Sequence, residues 1–149
     1  MHVVFVCSGN ICRSPMAEKV FRARLAEAGL EGAVTVSSAG IGPWHDGEPM
    51  DRRAAATLRT RGYDTAHTAR QIDGEQLAAD LLVAATRDHV RDLVAAGADP
   101  ERAVLLRSFD PDAPPDAEVP DPYYGGPGGF DEVIDMVEAA MPGLVERVR

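Results

Sequence analysis

Short apolar runs alternate along this chain with segments of helical periodicity. Residues 2–7, HVVFVC, form a β-branched and aromatic run bounded by small and polar residues, which is typical of a buried strand. Runs of the same kind lie at 34–38, 81–85 and 103–109. The pattern therefore predicts four strands.

Between these runs, apolar residues recur at the spacing of an amphipathic helix. Ser14-Pro15 predicts a helix start, because serine caps helices and proline is tolerated at the first helical position. Gly29 ends this first pattern. Further helices are predicted over 50–61, 88–96 and 130–148, with Pro142-Gly143 as the point where the last could break.

Strands that alternate with helices predict an α/β fold. We expect a single doubly wound domain over 1–149, with about four parallel strands and helices on both faces. In such sheets ligands bind beyond the carboxyl ends of the strands. Cys7 lies at one such end, and the segment after Phe109 lies at another. Residues 110–129, rich in Asp, Pro and Gly, form a long irregular loop that we interpret as functional.

Composition and charge narrow the classes of function. The chain has 149 residues, 45% of them hydrophobic, which favours a folded domain over disorder. Its net charge of −9 disfavours nucleic acid as a partner. No apolar run reaches the ~20 residues of a membrane span, and no basic leader precedes the first strand. We therefore expect a monomer in the cytoplasm with no membrane contact, and leaderless export stays open.

The cysteines and histidines indicate neither a disulfide framework nor a metal site. Two cysteines are too few for such a framework and are expected to be reduced thiols. The four histidines show no metal-ligand spacing. The sequence therefore predicts no metal and no cofactor.

The segment from Cys7 to Arg13 has the composition of an anion site. A strand, a tight loop and a helix start point successive backbone N–H groups inward, and the helix dipole adds positive potential. Such a field favours a thiolate over a thiol. Arg13 closes the loop with a planar fork that matches two phosphate oxygens. The loop therefore offers a nucleophile and a clamp to one tetrahedral anion, and it lacks the Gly-Lys-Ser/Thr ending of a nucleotide-binding loop.

The residues CSGNICRSP match the Cys-x5-Arg-Ser motif of the low-molecular-weight protein tyrosine phosphatases. SAG, WH, HTARQ and DPYYG follow in that family's order, at 38–40, 44–45, 67–71 and 121–125. The sequence thus resembles this family over essentially its whole length, and most closely its bacterial, actinobacterial-type members.

The resemblance implies a role for each residue of the loop. Cys7 would attack phosphorus and form a phosphocysteine. Arg13 and the loop amides would hold the phosphoryl oxygens in the transition state. Ser14 would hydrogen-bond Cys7, Asn10 would hold the loop in shape, and Gly9 would let the backbone turn.

A general acid must protonate the leaving tyrosine oxygen, and Asp121 is the candidate. The resemblance implies that Asp121 donates this proton and then acts as the base for the hydrolytic water. The adjacent Tyr123 and Tyr124 would give aromatic walls to the substrate pocket, and Trp44 is left open between a wall and a core residue. The other histidines, His45, His67 and His89, are expected to be structural. The residues expected to bind substrate are Ser8, Gly9, Asn10, Ile11, Cys12, Ser14, Trp44, Tyr123 and Tyr124.

Two positions qualify the resemblance. Thr86 stands where many relatives carry an aspartate that organises the active-site loops. Cys12 could be a packed thiol, or, as the family implies, could form a disulfide with an oxidised Cys7.

We expect the substrates to be phosphotyrosine-containing proteins, with inorganic phosphate as the product. The alternatives are a phosphoarginine phosphatase, an arsenate reductase or a non-catalytic phosphotyrosine-binding module. Ile11 favours phosphotyrosine over phosphoarginine, because the arginine-specific branch carries a small polar residue there. An arsenate reductase would need cysteines beyond Cys12.

Overall fold

The computed structural model describes residues 1–126 and 128–149. Four strands form one parallel sheet in the order β2-β1-β3-β4. The strands are β1 His2–Cys7, β2 Thr35–Gly40, β3 Leu81–Ala84 and β4 Ala103–Leu105. The predicted α/β fold with about four parallel strands is confirmed, while the assignment of 1–149 to one domain stays a prediction.

Helices cover both faces of this sheet. They are α1 Arg13–Glu27, α2 Arg52–Thr60, α3 Gly74–Leu77, α4 Arg87–Ala95 and α5 Gly129–Val148. The apolar residues of α1, α2 and α5 pack on one face, and those of α4 pack on the other. The sheet is therefore the middle layer of three, as a doubly wound fold requires.

β1 is buried on both faces because its whole length is apolar. Val3 and Phe5 point into the core that contains α1 and α5, and Val4 and Val6 point into the core that contains α4. The ring of Phe5 meets Phe21 of α1 edge to face at 5.5 Å between ring centres. Burying a side chain of this size contributes about 1.5–3 kcal/mol, so β1 and α1 hold residues 8–12, which join them, in place.

The ends of the second and fourth strands differ from the sequence prediction by two residues or more. The second strand continues to Gly40, past the predicted end at residue 38. The predicted strand over 103–109 is wrong after Leu105, since Leu106–Phe109 form a 3₁₀ turn in which Ser108 Oγ donates to the carbonyl of Leu105. This turn presses Phe109 against α5, which a continued strand would not reach.

The last helix runs through Pro142 without a break, so the proline-glycine pair does not interrupt α5. The predicted irregular loop over 110–129 is confirmed in its described part, with one 3₁₀ turn at Pro122–Tyr124. Pro127, which lies in that prediction, is outside the described residues. Among the residues that the structure describes, no helix is long and apolar enough to cross a membrane.

Cys7 ends β1 at the topological switch point of the sheet. The chain passes from β1 to β2 on one side, and the later strands β3 and β4 add on the other side. The crevice that opens at such a point is the usual ligand site of a doubly wound sheet. The fold therefore carries the Cys7 loop to that crevice.

Candidate active site

The loop from Cys7 to Arg13 joins β1 directly to the N-terminus of α1. Asn10 takes the left-handed conformation, with φ 62°, and this residue turns the loop. Gly9 was expected to make this turn. The structure instead requires glycine there for space, because a Cβ would lie 2.6 Å from Cδ2 of His45. The loop amides and the helix N-terminus together form an anion site.

Hydrogen bonds behind the loop orient the Cys7 sulfur. Ser14 Oγ lies 2.9 Å from Cys7 Sγ, and the backbone N–H of Ser14 donates to the same sulfur at 3.4 Å. Asn10 Nδ2 donates to Ser14 Oγ at 2.8 Å, so the Ser14 proton is free to donate to the sulfur. Asn10 Oδ1 accepts from the N–H of Arg70 at 3.0 Å, which fixes the orientation of the amide. The arrangement stabilises a negative charge on sulfur.

The same network continues into the protein interior. Asn10 Nδ2 also donates to Ser38 Oγ at 3.0 Å, and Ser38 in turn donates to the buried carboxylate of Glu18 at 2.7 Å. His67 Nε2 donates to the carbonyl of Asn10 at 2.7 Å, and burial lowers the pKa of His67. Hydrogen bonds with α1, β2 and the segment 67–70 therefore hold Asn10, a loop residue that is fully buried.

Arg13 connects the loop to the acid segment at the other end of the chain. Nη1 donates to the carbonyl of Val119 at 3.0 Å, and Nη2 lies 3.5 Å from Oδ2 of Asp121. The N–H of Val119 donates to the carbonyl of Ala85 at the end of β3, at 2.9 Å. Asp121 Oδ1 accepts from the N–H of Tyr123 at 3.0 Å and so caps the 3₁₀ turn. The Asp121 carboxylate thus reaches the charged clamp of the phosphate loop.

A cleft of about 530 Å³ opens above the loop. Trp44 is 68% exposed at its rim, so this residue belongs to the wall and not to the core. Tyr123 and Tyr124 stand on the other side with their rings edge to face at 4.9 Å. The residues that line the cleft are Cys7, Ser8, Gly9, Ile11, Cys12, Arg13, Trp44, His45, Asp121, Tyr123 and Tyr124.

Two residues predicted to bind substrate lie behind the loop. The side chains of Asn10 and Ser14 are 0% and 2% exposed and do not line the cleft. All other predicted site residues do line it. Burial raises the pKa of the Cys12 thiol well above its ordinary value, and the nearby Asp51 adds to the effect. In the part of the chain that the structure describes, no three His, Cys, Asp or Glu side chains form a group that could hold a metal ion.

Comparisons with known proteins agree with this geometry. Residues 2–149 match the family model described as low molecular weight phosphotyrosine protein phosphatase. The chain belongs to this family. It is 54% identical to low molecular weight protein-tyrosine phosphatase A of Mycobacterium tuberculosis, over 97% of this chain and 89% of that protein. The predicted resemblance to actinobacterial members is therefore confirmed.

Solved structures of the phosphatase family superpose on the chain. A protein tyrosine phosphatase from Entamoeba histolytica matches with a TM-score of 0.93 at 32% identity, over 99% of this chain and 96% of that one. The YwlE arginine phosphatase, solved as a cysteine-to-serine mutant with a phosphorylated active site serine, matches with a TM-score of 0.88 at 27% identity. That match covers 99% of this chain and 95% of the other.

Sequence reasoning missed two contributors to the site of this phosphatase. His89 is 5% exposed, and its Nε2 lies 2.9 Å from Ser8 Oγ. Burial and the charge of Arg13 lower the pKa of His89 to about 4. Thr86, which replaces the family aspartate, caps α4 and accepts from the N–H of His89 at 3.2 Å. The position of His89 in the first turn after β3 was the available clue, since β3 neighbours β1 at the switch point.

Arg53 is the second contributor. Its guanidinium is paired with Asp51 at 3.0 Å, lies 5.3 Å from the ring centre of Tyr123 and donates to the Tyr123 carbonyl at 3.3 Å. The N–H of Asp51 donates to the carbonyl of Ile11 at 2.8 Å. The pair thus links the phosphate loop to the acid loop of the phosphatase, and nothing in the local sequence pattern indicated it.

Proposed function

We propose that this phosphatase hydrolyses phosphotyrosine in proteins through a phosphocysteine intermediate, without a metal or cofactor. The observation that carries the proposal is the convergence of Cys7, Arg13 and Asp121 on one cleft, with the Arg13 guanidinium 3.5 Å from the Asp121 carboxylate. A nucleophile, an anion clamp and a proton donor are the three parts that this chemistry needs.

In the first step, the Cys7 thiolate attacks phosphorus, and a sulfur–phosphorus bond forms while the bond to the tyrosine oxygen breaks. Asp121 protonates the leaving oxygen. Arg13 and the loop amides hold the three equatorial oxygens, over which the charge of the transferring phosphoryl group is spread in the transition state. Ser14 Oγ donates a hydrogen bond to the sulfur, which stabilises the negative charge on Cys7 before attack and after release.

In the second step, the Asp121 carboxylate takes a proton from water, and the oxygen of that water attacks the phosphocysteine. The sulfur–phosphorus bond breaks, and inorganic phosphate and the Cys7 thiolate are released. The phosphorylated serine in the mutant arginine phosphatase supports a covalent intermediate at the corresponding position. Trp44 and Tyr123 would hold the phenyl ring of the substrate between them.

Phosphoarginine is the second candidate substrate, because one structural relative is an arginine phosphatase. Ile11 argues for phosphotyrosine, since this apolar side chain lines the cleft next to the loop. A guanidinium bears several N–H donors that an apolar wall leaves without partners, and leaving a buried donor unpaired costs about 1–3 kcal/mol. A phenyl ring meets no such cost.

The test is hydrolysis of para-nitrophenyl phosphate in EDTA by the wild type and three variants. We expect no turnover by Cys7→Ser and a loss of 100-fold or more by Asp121→Asn, within the ~10²–10⁴ range of general acid catalysis. The matched control is Asp116→Asn, an exposed aspartate of the same loop that lies outside the cleft. Turnover by Cys7→Ser, or an equal loss in both aspartate variants, would contradict the mechanism.

Phosphotyrosine, phosphoserine and phosphoarginine peptides tested in parallel identify the substrate class. Arsenate with an external thiol tests the reductase alternative. A wild type that binds phosphopeptide without cleaving it would favour the non-catalytic binding module. Mass spectrometry of acid-quenched Asp121→Asn with substrate should detect a phosphate adduct on Cys7.

We also propose that Cys12 protects the nucleophile from irreversible oxidation. Both thiols are free and buried beside the same cleft, at 2% and 4% exposed. Peroxide would oxidise Cys7 to the sulfenic acid, and condensation with the Cys12 thiol would release water and leave a disulfide. Activity lost to peroxide should then return with dithiothreitol in the wild type and not in Cys12→Ser. Equal recovery in both proteins would refute the role.

The monomeric state and the cytoplasmic location stay part of the proposal, as do the absence of nucleic-acid and membrane partners. Light scattering of the purified protein tests the monomeric state. Fractionation of cells that express the protein tests the cytoplasmic location.

A further inference from the structure

His89 is a buried, titratable side chain that the proposed mechanism does not use. It lies in the first turn of α4, on a helix that contributes no residue to the nucleophile, the clamp or the acid. Its Nε2 lies 2.9 Å from Ser8 Oγ, the first hydroxyl after the nucleophile. Its other ring nitrogen, Nδ1, is buried and has no hydrogen-bond partner among the described residues. A buried polar atom without a partner needs an explanation.

The missing partner of Nδ1 indicates where the ring proton lies. If Nδ1 carried the proton, a buried N–H donor would be left unpaired, and unpaired buried donors are rarer than unpaired acceptors. With the proton on Nε2, the ring donates to Ser8 Oγ and only a lone pair is left over. Burial and Arg13 lower the pKa of His89 to about 4, so the ring is neutral near pH 7.

The Nε2–H form determines what the Ser8 hydroxyl can do. Arg13 Nη2 also donates to Ser8 Oγ, at 3.4 Å. Because Ser8 Oγ accepts from both donors, its own proton points away from His89 and Arg13. Ser8 lines the cleft, so this proton is available to a ligand there. The opposite form of the ring would use the Ser8 proton itself and leave none for a ligand.

We propose that Ser8 and His89 form an auxiliary phosphate-binding pair, in which His89 orients the Ser8 hydroxyl as a donor to the phosphoryl group. The pair deepens the proposed function and rests on it, because it needs a phosphate in the loop. His89 is a positioning residue that acts through Ser8. Since a hydroxyl donor binds the phosphoryl group in both the ground state and the transition state, the pair lowers KM more than it raises kcat.

The first experiment measures the Kd of inorganic phosphate by calorimetry, which does not depend on turnover. We expect Ser8→Ala and His89→Leu each to weaken phosphate binding about tenfold, equivalent to about 1.4 kcal/mol. His89→Gln, which keeps an N–H donor near the Nε2 position, should restore the affinity to within about threefold of the wild type. In Ser8→Ala, the further change His89→Leu should have no effect, because the group that it positions is gone.

Para-nitrophenyl phosphate kinetics on the same variants separate positioning from damage to the loop. KM should rise about tenfold with kcat within about threefold of the wild type. A large loss of kcat would assign His89 a structural role and overturn the proposal. Additive losses in the double variant, or an unchanged Kd in Ser8→Ala, would do the same.

The ring proton is measured directly on the wild type by nitrogen NMR of the His89 side chain, so the proposal survives a variant that does not fold. Protonated Nε2 and bare Nδ1 at pH 7 are expected, and the reverse form would overturn the pair. If the wild type binds phosphate without turning over any substrate, the proposed function fails while the pair stands. A wild type that binds no phosphate refutes both.

Discussion

Asn10 permits a sharp test of how the phosphate loop is held. Its side chain makes three hydrogen bonds, from Nδ2 to Ser14 and Ser38 and from the N–H of Arg70 to Oδ1. Its backbone is left-handed, with φ 62°. Asn10→Gly removes these hydrogen bonds, and glycine adopts the left-handed conformation without strain. Asn10→Ala removes the same hydrogen bonds, and the left-handed conformation is unfavourable for alanine. The two variants therefore separate the hydrogen bonds from the conformation.

The magnitudes follow from these contacts. Each lost hydrogen bond costs about 1 kcal/mol, so Asn10→Gly should lower the free energy of unfolding by about 3 kcal/mol. Asn10→Ala loses a further ~1–2 kcal/mol, because the left-handed conformation is unfavourable for alanine. The greater freedom of glycine in the unfolded chain offsets about 0.4–1 kcal/mol of that difference. We therefore expect Asn10→Ala to be less stable than Asn10→Gly by about 1 kcal/mol.

Urea unfolding at pH 7, followed by circular dichroism, measures both values. The matched control is Asp116, which is exposed and also left-handed, with φ 58°, and whose side chain makes no hydrogen bond to a described residue. Asp116→Gly should leave the free energy of unfolding nearly unchanged, and Asp116→Ala should lower it by about 1 kcal/mol. If Asn10→Ala were as stable as Asn10→Gly while the Asp116 pair behaved as expected, the left-handed backbone of Asn10 would not be a requirement of the loop.

Three further predictions concern other parts of the protein. Gly143→Ala should lower the free energy of unfolding by about 1–3 kcal/mol, because the new Cβ would lie 2.3 Å from the carbonyl oxygen of Phe109. Arg53→Ala should lower kcat/KM for para-nitrophenyl phosphate about three- to tenfold, because it removes the hydrogen bond and cation–π contact to Tyr123. The free energy of unfolding should fall by about 2 kcal/mol from pH 7 to pH 5, because His89, with its pKa lowered to about 4, takes up its proton in the unfolded chain first. The His89 contribution is present above about pH 6.5 and is lost towards pH 4. In urea titrations of His89→Gln this part should be absent, while the part from His67, whose pKa burial also lowers, should remain.

Matched variants keep each of these results specific. Gly129→Ala, in the same helix but with no atom closer than 3.5 Å to the new Cβ, should be neutral or stabilising. Arg52→Ala removes the same charge one residue away and should stay within twofold of the wild type. An equal loss in Arg52→Ala would assign the Arg53 effect to net charge alone. A pH dependence of the same size in His89→Gln and in the wild type would assign the fall in stability to a group other than His89.

The sheet was predictable from the sequence because its two central strands, β1 and β3, are apolar on both faces. Continuous runs such as VVFVC carry that information locally, and the helices between them require parallel crossovers. The strand predicted over 103–109 is wrong after Leu105 because of a tertiary contact. Residues 103–106 form an apolar run that Arg107 and Ser108 interrupt, and the contact of the Leu106–Phe109 turn with α5 depends on residues far along the chain that no local pattern encodes.

The candidate site was predictable as far as it is contiguous. Residues 7–14 are contiguous, so their composition predicted an anion site with a thiol and an arginine, and the resemblance to the family implied the individual roles. Asp121 was found through the aromatic pair beside it. His89 and Arg53 escaped prediction because each acts through a partner far along the chain, Ser8 and Tyr123. A histidine or an arginine on a helix has the same local pattern whether it faces water or a loop.

The two halves of the site are held by different kinds of contact, and this difference has a kinetic consequence. The loop from Cys7 to Arg13 is held by buried hydrogen bonds between Asn10 and several elements, so a change that breaks these bonds alters both phosphate affinity and rate. The loop that carries Asp121 is an exposed turn held by three contacts. One is the backbone hydrogen bond from Val119 to Ala85, and another is the ion pair between Arg13 and Asp121. The third is the hydrogen bond from Arg53 to the carbonyl of Tyr123. Loosening this loop through Arg53 should slow proton transfer and leave phosphate affinity intact. The loss should therefore be larger for phenyl phosphate, whose leaving group needs a proton, than for para-nitrophenyl phosphate, whose leaving group needs it less.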